Sequence, residues 1–403
     1  MVSAPVGLIH VENFREYDFG EGHPLTPLRI ELTYALMRDL GILEHSNVKK
    51  LIPRKATDAE VLRIHSQKYI DKLKELNSLT RPSYKSFPEF GLGPGDNPVF
   101  PGMYDASLSV VGASLSAAEY LFIDEDHTRA FNIAGGLHHA MPDAASGFCI
   151  LNDPAIAIQK VLDEHPDFSV MYLDIDCHHG DGVQWIFYKT PKVLTLSFHQ
   201  SGETLFPGTG FTKETGEGDG KGYSLNFPFP ARTFDDIYLR AFNRILPQVM
   251  DAYRPDLLVC QLGVDTHFLD PLTSMGLSTT GQEKVFQKIH ECVPKYVSTN
   301  KLLALGGGGY DVSVVGRTWS MILAEMAGIN LENYLPDSWL ALLKEKASEF
   351  ADIAYLRDKN WRIEEIQLKN SYFVDELEQK VDVVVEQFEH ELIPQIKPKG
   401  RAV

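Results

Sequence analysis

Val170-Met171-Tyr172-Leu173-Asp174-Ile175-Asp176-Cys177-His178-His179-Gly180-Asp181-Gly182 is the stretch on which the reading of this chain turns. Its first four residues are apolar, as in a parallel strand covered on both faces. The polarity then changes abruptly, with three carboxylates and two imidazoles in the eight residues 174–181. Side chains two apart on a strand share a face, so Asp176 and His178 can converge on one metal ion where the strand ends. Buried charges need a partner or a metal. The duller alternative is a solvated strand-to-helix loop; the motif in this context favours a metal site.

Outward from that stretch the pattern repeats. Residues 130–133, 170–176, 193–199, 257–263 and 302–305 read as short buried strands, with helical segments between them. Asp153-Pro154 marks one helix start, the carboxylate as cap and proline in the first turn; Ile156, Ile158, Val161 and Leu162 supply its apolar face. Thr233 with Asp236 marks another, leading into Tyr238, Phe242, Ile245 and Val249. Strands alternating with helices predict an α/β fold, a mostly parallel sheet with helices on both faces. The Pro- and Gly-rich stretch 81–102 is expected to be a long surface loop. After 330 the strand signal ends, and Leu377, Val381, Val384, Phe388 and Leu392 predict a closing helix. The expectation is one domain over 1–403, with a catalytic core at 1–330 and a helical segment at 331–395 packed on it.

Composition excludes several classes. A formal charge of −17, from 55 acidic against 38 basic residues, repels phosphate, so direct nucleic-acid binding is not expected. No run approaches the roughly 18 apolar residues of a membrane span, and residues 1–10 lack the pattern of a signal peptide. Cys149, Cys177, Cys260 and Cys292 are widely spaced among apolar neighbours. They suit reduced thiols in a cytoplasmic protein, with neither a disulfide framework nor a Cys-x-x-Cys zinc knot.

Ligands of open α/β sheets gather beyond the carboxyl ends of the strands. There lie His138-His139 after 130–133, the Asp/His run after 170–173, Asp265 after 257–263, and Tyr310 after 302–305 through the glycine run 306–309. That run lacks the Lys-Ser/Thr and the spacing of a phosphate loop. A hydrolytic metal site needs three protein ligands and an open position for water. Asp176 and His178 give two, and Asp265 is the best remaining carboxylate. His138 and His139 are both candidates for the general base. Asp174 and Asp181 could each orient one of these rings, and the Tyr310 hydroxyl could meet a developing oxyanion.

These residues fall in a longer set of segments: His23-Pro24 on to Arg29, Gly93-Pro94-Gly95-Asp96-Asn97-Pro98, Gly136-Leu137-His138-His139-Ala140, and Ser146-Gly147-Phe148-Cys149 with Asn152-Asp153. Beyond 174–182 come Phe206-Pro207-Gly208-Thr209-Gly210, Gly263-Val264-Asp265-Thr266 and 305–310. In them the chain resembles the zinc-dependent histone deacetylase family, in its class I-like group, and within it the prokaryotic acetoin utilisation proteins. The resemblance implies an open, mainly parallel eight-stranded sheet of the arginase/deacetylase type. It implies a hydrolase that removes acetyl or related acyl groups from protein lysines. Asp176, His178 and Asp265 would bind zinc, with ferrous iron as an alternative. His139 with Asp181 would be the general acid-base group, His138 with Asp174 an electrostatic partner, and Tyr310 would polarise the acyl carbonyl.

The resemblance also makes Phe148 and Phe206 walls of a narrow tunnel that Gly147 keeps open, with Asp96 and Leu272 at its rim and Arg29 in an inner pocket where acetate leaves. Such a sleeve suits four lysine methylenes, each worth about 0.8 kcal/mol when buried, and admits a neutral amide more readily than an ammonium. One potassium ion is implied beside the site, at Asp174, Asp176, His178, Ser197 and Phe198, and a second near Phe187, Thr190, Val193 and Tyr223. The implied partner is an acetylated protein, with an acyl-CoA synthetase as one candidate. Two other functions fit the family: deacetylation of polyamines, against which Leu272 stands at a position acidic in one polyamine branch, and a silent acyl-lysine-binding scaffold, against which every ligand and the tyrosine are kept. Met141-Pro142-Asp143 and the run Thr266-His267-Phe268-Leu269-Asp270-Pro271-Leu272 depart from eukaryotic nuclear members. A free-standing cytoplasmic enzyme is expected in place of a corepressor subunit.

Overall fold

The structure, a computed structural model, describes residues 4–10, 16–347, 353–359 and 374–397. Eight strands form one sheet: β1 Val6–Ile9, β2 Val48–Leu51, β3 Arg129–Asn132, β4 Val170–Asp174, β5 Val193–Gln200, β6 Ser224–Phe229, β7 Leu257–Gln261 and β8 Lys301–Leu305. Their order is β2-β1-β3-β8-β7-β4-β5-β6. Every pairing between them is parallel. β3, β8, β7 and β4, whose carboxyl ends carry the unusual residues, are therefore four consecutive neighbours.

Both faces of the sheet are covered, as near-continuous apolar strands require. Met171 and Leu173 of β4 join the core built with α1 (Leu28–Asp39), α7 (Asp235–Tyr253), α8 (Thr279–Tyr296) and α9 (Val312–Ala327). Val170 and Tyr172 point the other way, into the core with α4 (Met103–Leu121) and α5 (Asp153–Glu164). Burying each large apolar side chain contributes about 1.5–3 kcal/mol. The same burial leaves Asp174, Asp176, His138 and Asp265 at the strand ends almost no exposed surface.

Several local expectations are corrected. β4 and β7 stop at Asp174 and Gln261, each two residues short of the predicted ends, because side chains take over the backbone donors. Asp176 N–H turns back to Asp174 Oδ1 at 3.1 Å, and Gly263 N–H to Gln261 Oε1 at 2.8 Å. The cap of α5 is Asn152, whose side chain accepts from Ala155 N, which frees the Asp153 carboxylate for another task. Thr233 does not cap α7, since its hydroxyl donates to Pro230 O at 2.8 Å. The stretch 81–102 is the expected surface loop, exposed at 84–86 and 94–96, and Phe90, Leu92, Val99 and Phe100 anchor it in the body.

At the C-terminal end, Trp339 of α10 (Asp337–Lys346) is fully buried and donates its indole N–H to Leu32 O of α1 at 2.8 Å. α11 (Val374–Gln387) lies against α7 through Leu377, Val381 and Val385, with bidentate Arg244–Glu389 contacts of 2.6 and 2.7 Å just beyond it. Val385 is buried beside the predicted Val384, which is half-buried against the same core, and a π turn at Phe388–Leu392 keeps Phe388 and Leu392 on that face. Residues 348–352 and 360–373 of the expected helical segment lie outside the described residues. Among those described, no helix is long and apolar enough to cross a membrane.

Candidate active site

The end of β4 builds the centre of the site. Asp174 is fully buried: its Oδ1 accepts from Asp176 N, and its Oδ2 accepts from Tyr172 OH at 2.7 Å and lies 2.7 Å from His138 Nδ1. Two residues on, Asp176 Oδ2 accepts from Gln261 Nε2 at 2.6 Å and from Gly308 N at 2.8 Å. Asp265, beyond β7, takes Cys177 N–H on Oδ1 at 2.7 Å. The remaining oxygens turn to one imidazole: His178 Nδ1 lies 2.8 Å from Asp265 Oδ2 and 3.2 Å from Asp176 Oδ1.

Among the described residues this is the one grouping of three potential metal ligands, its donor atoms all within 4.8 Å of one another and all buried. The set fits a divalent cation. Two carboxylates this close and this deep need positive charge between them. In its absence burial, then repulsion from Asp176, pushes Asp265 up to about 7. The balancing charge falls on His178, raised to about 10 by the two carboxylates in spite of burial. Two oxygen donors and one imidazole nitrogen are a donor set suited to zinc with a position left open.

Beside this cluster stand the two adjacent histidines. His138 Nδ1 faces Asp174 and His139 Nδ1 faces Asp181 Oδ1, each at 2.7 Å, while their Nε2 atoms are 3.0 Å apart. Two N–H groups cannot point at each other across that gap, so the pair shares one proton. Against the penalty of burial, Asp174 and Asp176 raise His138 to about 9. Burial, then the charge on His138, lowers His139 to about 4. His138 is the charged ring and His139 the neutral one, its Nε2 lone pair accepting the shared proton of His138 Nε2.

The turn that presents them is over-determined. The freed Asp153 carboxylate accepts from Gly136 N at 3.0 Å and Leu137 N at 2.8 Å. Asn152 Nδ2 donates to His138 O at 3.2 Å and Ala140 O at 2.9 Å. Behind Asn152, His65 Nε2 accepts its N–H at 3.0 Å, and His65 Nδ1 lies 3.0 Å from Met141 O.

The mouth is aromatic. Phe206, 43% exposed, packs against His139 at 5.1 Å between ring centroids. Phe148, at φ 68°, packs against Tyr310 at 5.7 Å and His23 at 4.6 Å. Gly147 sits between these walls at φ +49°, and a β-carbon there would lie 2.4 Å from the His139 ring. Tyr310 stands 6.5 Å from His178 between ring centroids, its pKa raised well above the ordinary value by burial and then by Asp265 and Asp176. Leu272 is 36% exposed and donates its N–H to Asp270 Oδ1 at 3.0 Å; Asp96 is exposed, and its main-chain oxygen lies 3.2 Å from His23 Nε2. Arg29 is buried, donates to Gly307 O at 2.5 Å, and has its guanidinium 5.6 Å from the Tyr310 ring centroid. It lines a small pocket of about 40 Å³ with Tyr17, Ile133 and Leu137.

Of the expected potassium positions, Asp174 and Ser197 are cross-strand partners, with Asp176, His178 and Phe198 next to them in sequence; Ser197 Oγ is 2.8 Å from His199 Nδ1. Phe187, Thr190, Val193 and Tyr223 gather at the other end of the sheet, where Thr190 N donates to Phe187 O at 3.2 Å and Thr195 N to Tyr223 O at 3.0 Å. The sequence reading did not single out Gln261, Tyr172, Gly308 or Asp270. Gln261 carried a signal, a polar residue closing an apolar strand; the others act through a main-chain N–H or from an ordinary-looking position.

With this geometry in hand, comparison with other proteins gives a consistent answer. Residues 23–326 match the histone deacetylase domain. The chain is 37% identical to acetoin utilization protein AcuC of Bacillus subtilis over 372 residues, 91% of this chain and 95% of that protein. It is 39% identical to histone deacetylase 19 of Arabidopsis thaliana over 326 residues, 80% of this chain and 62% of the plant protein. Crystal structures of a histone deacetylase homologue complexed with SAHA and of one from Aquifex aeolicus superpose with TM-scores of 0.80 and 0.79. Each is 31% identical and covers 90% of this chain and all of its own. The chain belongs to the histone deacetylase family of hydrolases, with the open parallel sheet of its structural neighbours.

Proposed function

We propose that the protein hydrolyses the side-chain amide of acetylated, or similarly acylated, lysine in protein substrates. The observation that carries this reading is the buried Asp176–His178–Asp265 cluster, flanked on one side by two aspartate-held imidazoles and on the other by Tyr310, beneath an aromatic mouth. Asp176, His178 and Asp265 would hold zinc, or ferrous iron in its place, which when bound polarises the acyl carbonyl and acidifies water.

The chain's own groups divide the remaining work. His139 Nε2 takes the proton of the attacking water and returns it to the lysine nitrogen as the C–N bond breaks. Asp181 keeps the His139 Nδ1 proton in place, which leaves Nε2 as the base. His138, held charged by Asp174, offsets negative charge gathering at the carbonyl. The Tyr310 hydroxyl, still protonated at neutral pH, donates to that oxygen. Phe148 and Phe206 enclose the lysine methylenes over Gly147, Asp96 and Leu272 meet the substrate at the rim, and Arg29 supplies a cation for the departing acetate. Potassium at Asp174, Asp176, His178, Ser197 and Phe198 would steady the end of β4, and a second ion near Phe187, Thr190, Val193 and Tyr223 would do so at the far end.

An acylated enzyme such as an acyl-CoA synthetase is the proposed substrate class. The four free, buried cysteines support a reducing cytoplasmic setting. The apolar Leu272 at the rim favours a polypeptide over a polyamine. Chelation should abolish hydrolysis of an acetyl-lysine peptide and added zinc should restore it. Turnover that survives complete metal removal, or a kcat/KM higher for acetylspermidine than for the peptide, would sink the respective part of the proposal.

A further inference from the structure

Beyond the residues that match the family domain, Arg357 and Asp358 return to the body of the protein. Arg357 forms a bidentate pair with Glu283 of α8 at 2.5 and 2.7 Å. Asp358 goes deeper. Its Oδ2 accepts from Thr279 N at 2.8 Å and Thr279 Oγ1 at 3.0 Å, and lies 2.9 Å from His267 Nε2; its Oδ1 accepts from Arg317 at 2.9 Å. Both His267 and Asp358 are buried. A carboxylate so placed is stable only because its donors are complete.

The contacts continue from His267 toward the reacting atoms. Leu269 N–H donates to His267 Nδ1 at 3.1 Å, so the ring is neutral and its one proton sits on Nε2, facing Asp358. Asp270 N donates to His267 O at 2.9 Å. The Asp270 carboxylate then bridges two elements of the mouth, accepting from Leu272 N at 3.0 Å and from Tyr310 N at 2.8 Å. One connected set of hydrogen bonds thus runs from Asp358 through His267 and the 266–272 loop to the main chain of Tyr310. The same loop begins next to Asp265, whose carbonyl accepts from Thr273 Oγ1 at 2.5 Å.

We propose that Asp358 and His267 are positioning residues: a strand of chain outside the family-matched region completes the active site by fixing the 266–272 loop and, through Asp270, Tyr310. The proposal rests on the hydrolase reading given above. Neither residue touches substrate; both act by holding Tyr310 where its hydroxyl meets the carbonyl, and a displacement of about 1 Å there can cost up to a hundredfold in rate.

The test is a double-mutant cycle on the full-length, metal-loaded protein with an acetyl-lysine peptide. Asp358→Asn should keep stoichiometric metal and lower kcat by roughly tenfold to a hundredfold, with a smaller change in KM. Tyr310→Phe lowers kcat by itself, and adding Asp358→Asn to it should cost little more, because the group being positioned is already gone. A structural role alone predicts losses that multiply. If Asp358→Asn does not fold, His267→Asn is read in the same way; it keeps an acceptor for Leu269 N–H and leaves Asp358 three donors. Multiplying losses in the cycle, or wild-type kcat in a folded variant, would overturn the inference while leaving the hydrolase reading intact. An inactive, metal-loaded wild type would overturn both.

Discussion

Acid should loosen the turn that carries His138 and His139 through a residue that never meets the substrate. His65 is buried, and its folded pKa is lowered from 6.5 to about 4 by that burial. Its neutral form fits its surroundings, with Nδ1 against Met141 O and Nε2 accepting Asn152 N–H. Between pH 6.5 and 4 the unfolded chain binds the proton and the folded one does not, so stability falls as pH falls through that window. From pH 7 to pH 5 this single group removes about 2 kcal/mol. His65→Gln keeps an acceptor for Asn152 N–H but cannot titrate; at neutral pH it should cost about 0.5–1.5 kcal/mol for the lost bond to the Met141 carbonyl, which still accepts from Ala144 N. Urea unfolding of wild type and variant at pH 7 and pH 5, with metal chelated, isolates the effect, since every other titrating group is common to both. The variant should lose about 2 kcal/mol less on acidification. Parallel pH dependences in the two proteins would refute the assignment of a neutral, depressed His65.

Two further outcomes follow from the mouth and the oxyanion position. Tyr310→Phe should reduce kcat by about a hundredfold to a thousandfold with metal content and fold unchanged; steady-state kinetics with metal analysis checks it, and wild-type turnover would reject the hydroxyl's role. Gly147→Ala places a methyl 2.4 Å from the His139 ring at a φ of +49°, so kcat/KM for the acetyl-lysine peptide should drop by at least about tenfold. An alanine variant as active as wild type would show that the walls can part.

The central stretch was legible because its chemistry and its periodicity disagree: an apolar strand does not end in Asp-x-Asp-x-His-His without a use for it. The strands with both faces buried, β3, β4, β7 and β8, announced themselves by apolarity, and their ends located the unusual residues. Other features were not local properties of the sequence. β2 carries two exposed lysines in four residues, so nothing in its composition separates it from a loop. Asp153 looked like a helix cap because caps and loop clamps use the same residue type; only the position of 136–137 in space shows which N–H groups its carboxylate meets. The roles of Asp270 and Asp358 were equally hidden, since each acts on main-chain donors far away along the chain. Residue type and spacing leave His138 and His139 equivalent; the resemblance assigns them different roles, and burial with the distances to Asp174 and Asp181 gives the physical reason.

The strand order has a consequence for the newborn chain. β8, the last strand to leave the ribosome, belongs in the interior of the sheet, between β3 and β7. Until residues 301–305 arrive, two apolar edges stand open and unpaired, each an invitation to a neighbouring polypeptide. The gap is closed by the very segment that leads into the four glycines and Tyr310. Biogenesis therefore depends on shielding the β3 edge from residue 132, and the β7 edge from residue 261, until residue 301 is made, and a chain cut short before β8 is an aggregation hazard in place of a weakened enzyme.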